Sequence, residues 1–276
     1  MPGRTDAERP LVGIRVLEAQ PELVEGLDEE QAELARRHLV AVLDAIEPGP
    51  WRPAERYGQS PAAIGLLVID GVFARDLTIA GRSCSELLGA GDLLRPWDHD
   101  DDGAGGESLH SAAAWTVLEP ARIAVLDERF ARVACRWPQL VAGLVSRTLR
   151  RSRWMAILLA ISNMTRVDER VEALMWHLAD RWGHVTPDGV VVPVPLTHEL
   201  IGRLVGAHRP SVTSALGELQ RAGVLSRREQ GGWLLSGEPP ARLTRDGDGD
   251  GGASRAISID PTLAASLPAL AASVLG

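Results

Sequence analysis

Lysine is absent: all 29 basic residues are arginine, a mark of genomic base composition rather than of chemistry. Cysteine is nearly absent. Cys84 and Cys135 stand 51 positions apart, which gives neither a disulfide framework nor a zinc motif. Two ordinary thiols in a reducing cytosol are expected. No apolar run approaches the length of a membrane-spanning helix. The opening MPGRTDAERP has no apolar stretch after its charges, so no secretory signal is expected. There is no GxGxxG, Walker loop, HExxH or GxSxG, so no enzyme activity is predicted. A metal-dependent roll needs several histidines and a carboxylate converging on one ion. The strand-rich region offers only His99 and His110, and His99 lies in DHDDDG, which reads as a solvated loop. No metal and no cofactor are predicted. His177, on an apolar helix face, is expected to be a core residue.

What is present is an ordinary globular composition. The 276 residues are 45% apolar and 24% charged, enough for one large domain or two smaller ones. The net charge of -8 conceals an asymmetry. Residues 1–136 carry 14 Arg against 24 acids, whereas residues 137–240 carry 12 Arg against 9 acids. The positive excess therefore falls in the third quarter of the chain, and a nucleic-acid surface needs only local positive potential.

Leu23, Leu27, Leu34, Leu39, Val42, Leu43 and Ile46, spaced among acids and arginines over residues 18–47, predict one or two amphipathic helices. Asp28 is the expected N-cap. From residue 64 to about 126, short apolar runs alternate with turn signals: Asp70-Gly71, Ala80-Gly81 and Gly89-Ala90-Gly91-Asp92. That spacing predicts an antiparallel roll, barrel or sandwich, with an exposed loop over 98–108. Asp127 caps a short helix that stops at Trp137-Pro138. A long helix follows over 138–164. Leu140, Leu144, Thr148, Arg151, Met155 and Leu158 recur along it at helical spacings. This seam suits either a dimer axis or an ordinary core contact with the roll. Another helix is expected over 167–182, ended by Gly183. DGDGDGG at 246–252 reads as a flexible acidic linker.

Residues 196–223 read LTHELIGRLVGAHRPSVTSALGELQRAG. Thr197 is a natural N-cap, and Gly206 supplies the left-handed residue that ends a helix sharply. Pro210 sits in the first turn of a second helix, where its missing N–H costs nothing. Val212, Leu216 and Leu219 face inward. This is a helix-turn-helix. After the turn Gly206-Ala207-His208, with His208 as a further DNA-binding candidate, Arg209, Ser211, Thr213 and Ser214 open the second helix, the part that reaches base edges in a major groove. Arg209 is the candidate for a bidentate contact to guanine. Arg221, farther along, approaches the backbone, as does Arg203 from the first helix. Residues 224–235 then predict a wing, with Arg227 and Arg228 placed to meet phosphate. The same pattern could serve packing or protein contacts alone; the turn glycine, Arg209 and the wing, occurring together in order, favour double-stranded DNA.

These residues resemble the Crp/Fnr family of bacterial transcription factors, that of the cyclic-AMP receptor protein and the fumarate–nitrate reductase regulator. The motif LTHELIGRLVGAHRPSV carries the resemblance most strongly. It implies an α+β chain: an N-terminal antiparallel β-roll like a cyclic-nucleotide-binding domain, a long dimerisation helix, and a C-terminal winged helix-turn-helix. The boundaries expected are a helical segment 1–50, the roll 51–137, the dimer helix 138–164, the DNA-binding domain 165–240 and a tail 241–276. It further implies a cytoplasmic homodimer, no membrane partner, and RNA polymerase as a candidate partner. Where cyclic-nucleotide members carry Gly-Glu and Arg-Ser-Ala, this chain has Arg95-Pro96 and Ala112-Ala113-Ala114. Without that Glu and Arg no charged clamp holds a cyclic phosphate and ribose, so cyclic AMP binding is not expected.

Overall fold

Apolar runs broken by turn residues fold here into two antiparallel sheets laid face to face. The computed structural model describes residues 12–57, 60–98, 111–229 and 231–243. The expected loop histidines His99 and His110, and the 246–252 linker with the tail beyond it, lie outside the described residues. Residues up to Gly237 belong to one compact unit. Of the second unit only residues 238–243 are described, with a single short helical turn at Ala241–Leu243.

The chain opens with β1 (Val12–Arg15) and α1 (Val16–Ala19), then α2 (Glu29–His38), β2 (Val40–Ile46), β3 (Gly49–Trp51) and α3 (Pro53–Arg56). The roll continues with β4 (Gly65–Asp70), β5 (Val72–Ile79), β6 (Arg82–Gly89), β7 (Leu93–Leu94), β8 (Ser111–Val117) and β9 (Ala121–Leu126). One sheet has the order β1-β2-β9-β4-β7 and the other β3-β8-β5-β6. The helical reading of residues 18–47 is corrected here. Asp28 does cap α2, accepting from Gln31 N at 2.8 Å. Val40–Ile46, however, is a strand paired on both sides, with β1 and with β9. Its apolar spacing was compatible with a helix, and the free backbone edge of β9 decided otherwise. The roll therefore begins at Val12 rather than at residue 51.

Aromatic side chains fill the space between the two sheets. Trp51 lies 5.1 Å from Phe73 and 5.8 Å from Trp115 between ring centroids. Leu88, Leu94, Trp97 and Ile123 belong to the same cluster. The hairpin β5–β6 turns on Ala80 and Gly81, both at positive φ.

After α4 (Glu128–Ala134), Pro138 opens the 25-residue helix α5 (Pro138–Ser162), followed by α6 (Val167–Trp182), β10 (His184–Thr186) and β11 (Gly189–Val192). Then come α7 (His198–Val205), α8 (Arg209–Arg221), β12 (Leu225–Arg227) and β13 (Trp233–Leu235), the last two joining β10 and β11 in a sheet of order β10-β11-β13-β12. One apolar cluster runs from the inner faces of α6, α7 and α8 to Leu158 and Ile161 of α5 and to Val72 and Leu87 of the roll. Leu140, Leu144 and Leu158 of α5, which the sequence reads as either a dimer axis or a core contact, are 0%, 3% and 4% exposed within the chain itself.

Candidate nucleic-acid interface

Thr197 Oγ1 accepts from Leu200 N at 3.1 Å and so satisfies one of the open donors of α7. Gly206 ends that helix at φ 64°, ψ 38°, a conformation that side chains with a Cβ resist. His208 is extended, and Pro210 lies in the first turn of α8. Val212, Ala215, Leu216 and Leu219 are buried. Thr197, His208, Arg209, Ser211, Thr213, Ser214, Gln220 and Arg221 are exposed. The amphipathic pattern thus turns one stripe into the core and leaves the polar stripe facing solvent.

Within that stripe Thr213 is already engaged. Its hydroxyl donates to Arg209 O at 3.0 Å and lies 2.9 Å from His198 Nδ1. His198 thereby ties α7 to α8, a role that helical spacing alone does not reveal. The wing follows β12, where Gly231 and Gly232 take φ of 90° and 81°. Arg227 is exposed, with its guanidinium carbon 5.6 Å from the Trp233 ring centroid. Arg228 is half-buried.

Arg203 departs from the expected phosphate role. Its Nε lies 3.2 Å from Asp76 Oδ1 and donates to Ser85 Oγ at 3.0 Å, while Nη1 meets Glu199 at 2.8 Å. Asp76 and Ser85 are a cross-strand pair of β5 and β6. Arg203 therefore fastens α7 to the roll instead of facing outward. Arg170, unremarked in the sequence, closes the other end, donating to Met164 O at 2.6 Å and to Val205 O at 3.2 Å.

The α5 seam read from sequence faces inward. Leu140 and Leu144 are buried in the cluster around Leu126 and Phe130, Leu158 is buried and Met155 packs in the cluster with α6–α8, and Arg151 pairs with Glu86 of β6. Thr148 is exposed and donates to Leu144 O at 3.5 Å. The exposed stripe is a different one: Val145, Leu149, Ser152, Ala156 and Leu159, at spacings of 4, 3, 4 and 3. Leu149 and Leu159 are each 65% exposed. A helix apolar on two faces signals two partners, and only the fold shows which face is already covered.

At the positions that grip a cyclic phosphate in the nucleotide-binding rolls, Ala112-Ala113-Ala114 lie in β8 opposite Thr78, Leu77 and Asp76 of β5. Three methyl groups provide no hydrogen-bond donor. Arg95 Nη1 donates to Ala63 O at 2.5 Å, its guanidinium near Trp97. Among the described residues no group of three or more His, Cys, Asp or Glu could hold a metal ion. No helix there is long and apolar enough to cross a membrane.

Comparison with known proteins bears on the same segment. Residues 169–236 match the family of the Crp-like helix-turn-helix domain. The regulatory protein CysR of Synechococcus elongatus is 31% identical over 102 residues, which is 35% of this chain and 50% of that protein. The chain thus spans half the length of this curated relative. Among solved structures, a cyclic nucleotide-binding domain containing protein from Listeria monocytogenes superposes with a TM-score of 0.57 at 14% identity, covering 80% of this chain and 98% of that one. FixK2 from Bradyrhizobium japonicum gives 0.54 at 18% identity, covering 74% and 96%. A CooA variant from Carboxydothermus hydrogenoformans gives 0.53 at 17% identity, covering 82% and 93%. At such identities the structural likeness establishes the fold: a β-roll joined by a long helix to a helix-turn-helix.

Proposed function

From the match of residues 169–236 to the Crp-like helix-turn-helix domain and the likeness to CysR, we propose that this chain is a member of the Crp/Fnr family and a sequence-specific DNA-binding transcription regulator acting as a homodimer. The observation that carries the reading is the solvent-facing polar stripe of α8, set on a buried apolar stripe inside the matched segment. Arg209, in the first turn, reads a base edge, with His208, Ser211 and Ser214 beside it. Thr197, Arg221, Arg227 and Arg228 position the phosphates. Thr213 supports this surface through His198. Arg203 acts on the seat of the domain through the roll.

The exposed stripe Val145, Leu149, Ser152, Ala156 and Leu159 is the surface that a second copy would cover. It has the alternating spacing of a two-stranded helical seam, whereas Leu140, Leu144 and Leu158 are already buried within the chain. Two α8 helices would then enter successive major grooves about 34–36 Å apart on a roughly palindromic site. The same reading places the protein in the bacterial cytoplasm, with RNA polymerase as a candidate partner for the acidic N-terminal half.

The test is selection of bound duplexes from a random pool, followed by binding of Arg209→Ala to the selected site. The variant should lose about 1–3 kcal/mol and relax preference at one position per half-site. Arg228→Ala should weaken all sequences alike and reduce the salt slope by about one unit. Equal loss on every sequence for Arg209→Ala would remove its base-reading role. No association with any duplex at low salt would overturn the function itself.

A further inference from the structure

A cleft of about 630 Å³ opens where α5, α6, the turn before Asp92 and the Gln20–Glu22 segment meet. It lies outside the aromatic interior of the roll. We propose that this cleft binds a small phosphorylated effector, with Arg147 and Arg150 as its phosphoryl-binding residues.

Arg147 is the decisive side chain. It is 3% exposed, among the most deeply buried charges of the chain. Gln20 Oε1 at 2.8 Å and Gly91 O at 2.9 Å both take hydrogen bonds from Nη1 and so fix the guanidinium plane. Nη2 is buried with no hydrogen-bond partner among the described residues. The nearest acid, Glu22 Oε2, stands 3.7 Å away, beyond hydrogen-bond range, and the same oxygen is 3.9 Å from Arg150 Nη1. One carboxylate is thus shared by two guanidinia and bonds properly to neither.

The other cations of the cleft are already matched. Arg181 pairs with Asp92 at 2.7 Å, and Arg151 pairs with Glu86. Asp180 is the remaining acid on the rim, and burial raises its carboxyl above the usual aspartate range. A buried guanidinium N–H without an acceptor is costly. A phosphoryl group carries several acceptor oxygens and could bond Arg147 Nη2 and Arg150 together, the fork geometry that arginine suits. Glu22 is 72% exposed, so its side chain can swing out to admit the ligand. The volume suits a ligand of nucleotide or sugar-phosphate size.

The walls come from the roll, from α5 and from α6, the helix that leads into the helix-turn-helix. A bound phosphoryl group would therefore brace the joint that the Arg181–Asp92 pair already closes. Binding at the cleft can be tested without DNA, so it stands or falls apart from the reading of α8.

The experiment is calorimetric titration of the full chain with orthophosphate, pyrophosphate and ribose 5-phosphate, against sodium chloride at matched ionic strength. Saturable binding of at least one of the three is expected, and the tightest of them distinguishes a free inorganic anion from an organic phosphate. Arg150→Ala, at an exposed position, should weaken it about tenfold, the worth of one charge-assisted hydrogen bond. Glu22→Gln should tighten it about threefold or more by removing the competing carboxylate. Heats no different from chloride overturn the proposal. So do equal constants for the wild type, Arg150→Ala and Glu22→Gln, since that would place the anion elsewhere.

Discussion

Three glycines within sixteen residues of the helix-turn-helix should respond to the same added methyl group in three different ways. At Gly206 the backbone is left-handed, φ 64°, but an added Cβ would meet only Ser162 Cβ at 3.7 Å, an ordinary contact. Gly206→Ala should therefore cost only conformational strain, about 1–2 kcal/mol. At Gly202 the backbone is helical, yet an added Cβ would lie 2.6 Å from Ala207 O. That carbonyl belongs to the turn that sets α8 against α7, and the turn is held by Ala207 N donating to Gly202 O at 2.9 Å. Gly202→Ala must push the turn open, with an overpacking cost of about 2–3 kcal/mol and a displaced α8. At Gly217, inside α8, nothing lies within 4 Å of the added Cβ. Gly217→Ala should stabilise by about 0.5–1 kcal/mol through helix propensity and the unfolded-state entropy it removes. Urea denaturation of the three variants gives the order directly, and a domain of this size moves about 2–4 °C in Tm per kcal/mol. The packing argument is refuted if Gly202→Ala proves as mild as Gly206→Ala, or if Gly217→Ala destabilises.

Two further outcomes follow from α5 and α6. Leu149→Glu should leave folding intact and shift the protein to monomer in sedimentation at micromolar concentration, whereas Leu144→Ala should cost about 2–5 kcal/mol of stability and leave assembly unchanged. A monomeric wild type, or a dimer surviving Leu149→Glu, sinks the exposed-stripe assignment. His177 stacks on Trp154 at 3.5 Å between ring centroids, and burial pushes its pKa down to about 4. An unfolded histidine titrates near 6.5. Between those values the unfolded chain takes up a proton that the folded chain refuses. Stability should therefore fall as pH drops through this window, by about 2 kcal/mol from pH 7 to 5 at that residue. Urea midpoints at the two pH values, compared with His177→Phe, isolate this share; an identical pH dependence in the variant counts against it.

The helix-turn-helix was legible because every signal there is local. Thr197 caps, Gly206 breaks, Pro210 restarts, and Val212, Leu216 and Leu219 keep one face inward, all within a single run of chain. The turns of the roll at Gly71, Gly81 and Gly91 were legible for the same reason, since positive φ at these positions is a property of few residues. Val40–Ile46 was not, because its strand state depends on pairing with residues 121–125. Arg203 was misjudged because Asp76 and Ser85, more than a hundred positions earlier, take its guanidinium.

Local backbone chemistry therefore determined most of the elements, their order and the polar stripe of α8, but not the strand Val40–Ile46. Tertiary structure decided which face of each element is spent internally. It turned Leu140, Leu144 and Leu158 into the chain's own core and left Leu149 and Leu159 bare. It also drew Arg203 to the roll and buried Arg147 with one donor unbonded. Helical spacing states only that a stripe is apolar or charged. Whether that stripe meets its own chain, a second copy or a ligand depends on packing and charge pairing between residues far apart in sequence, which no local pattern encodes.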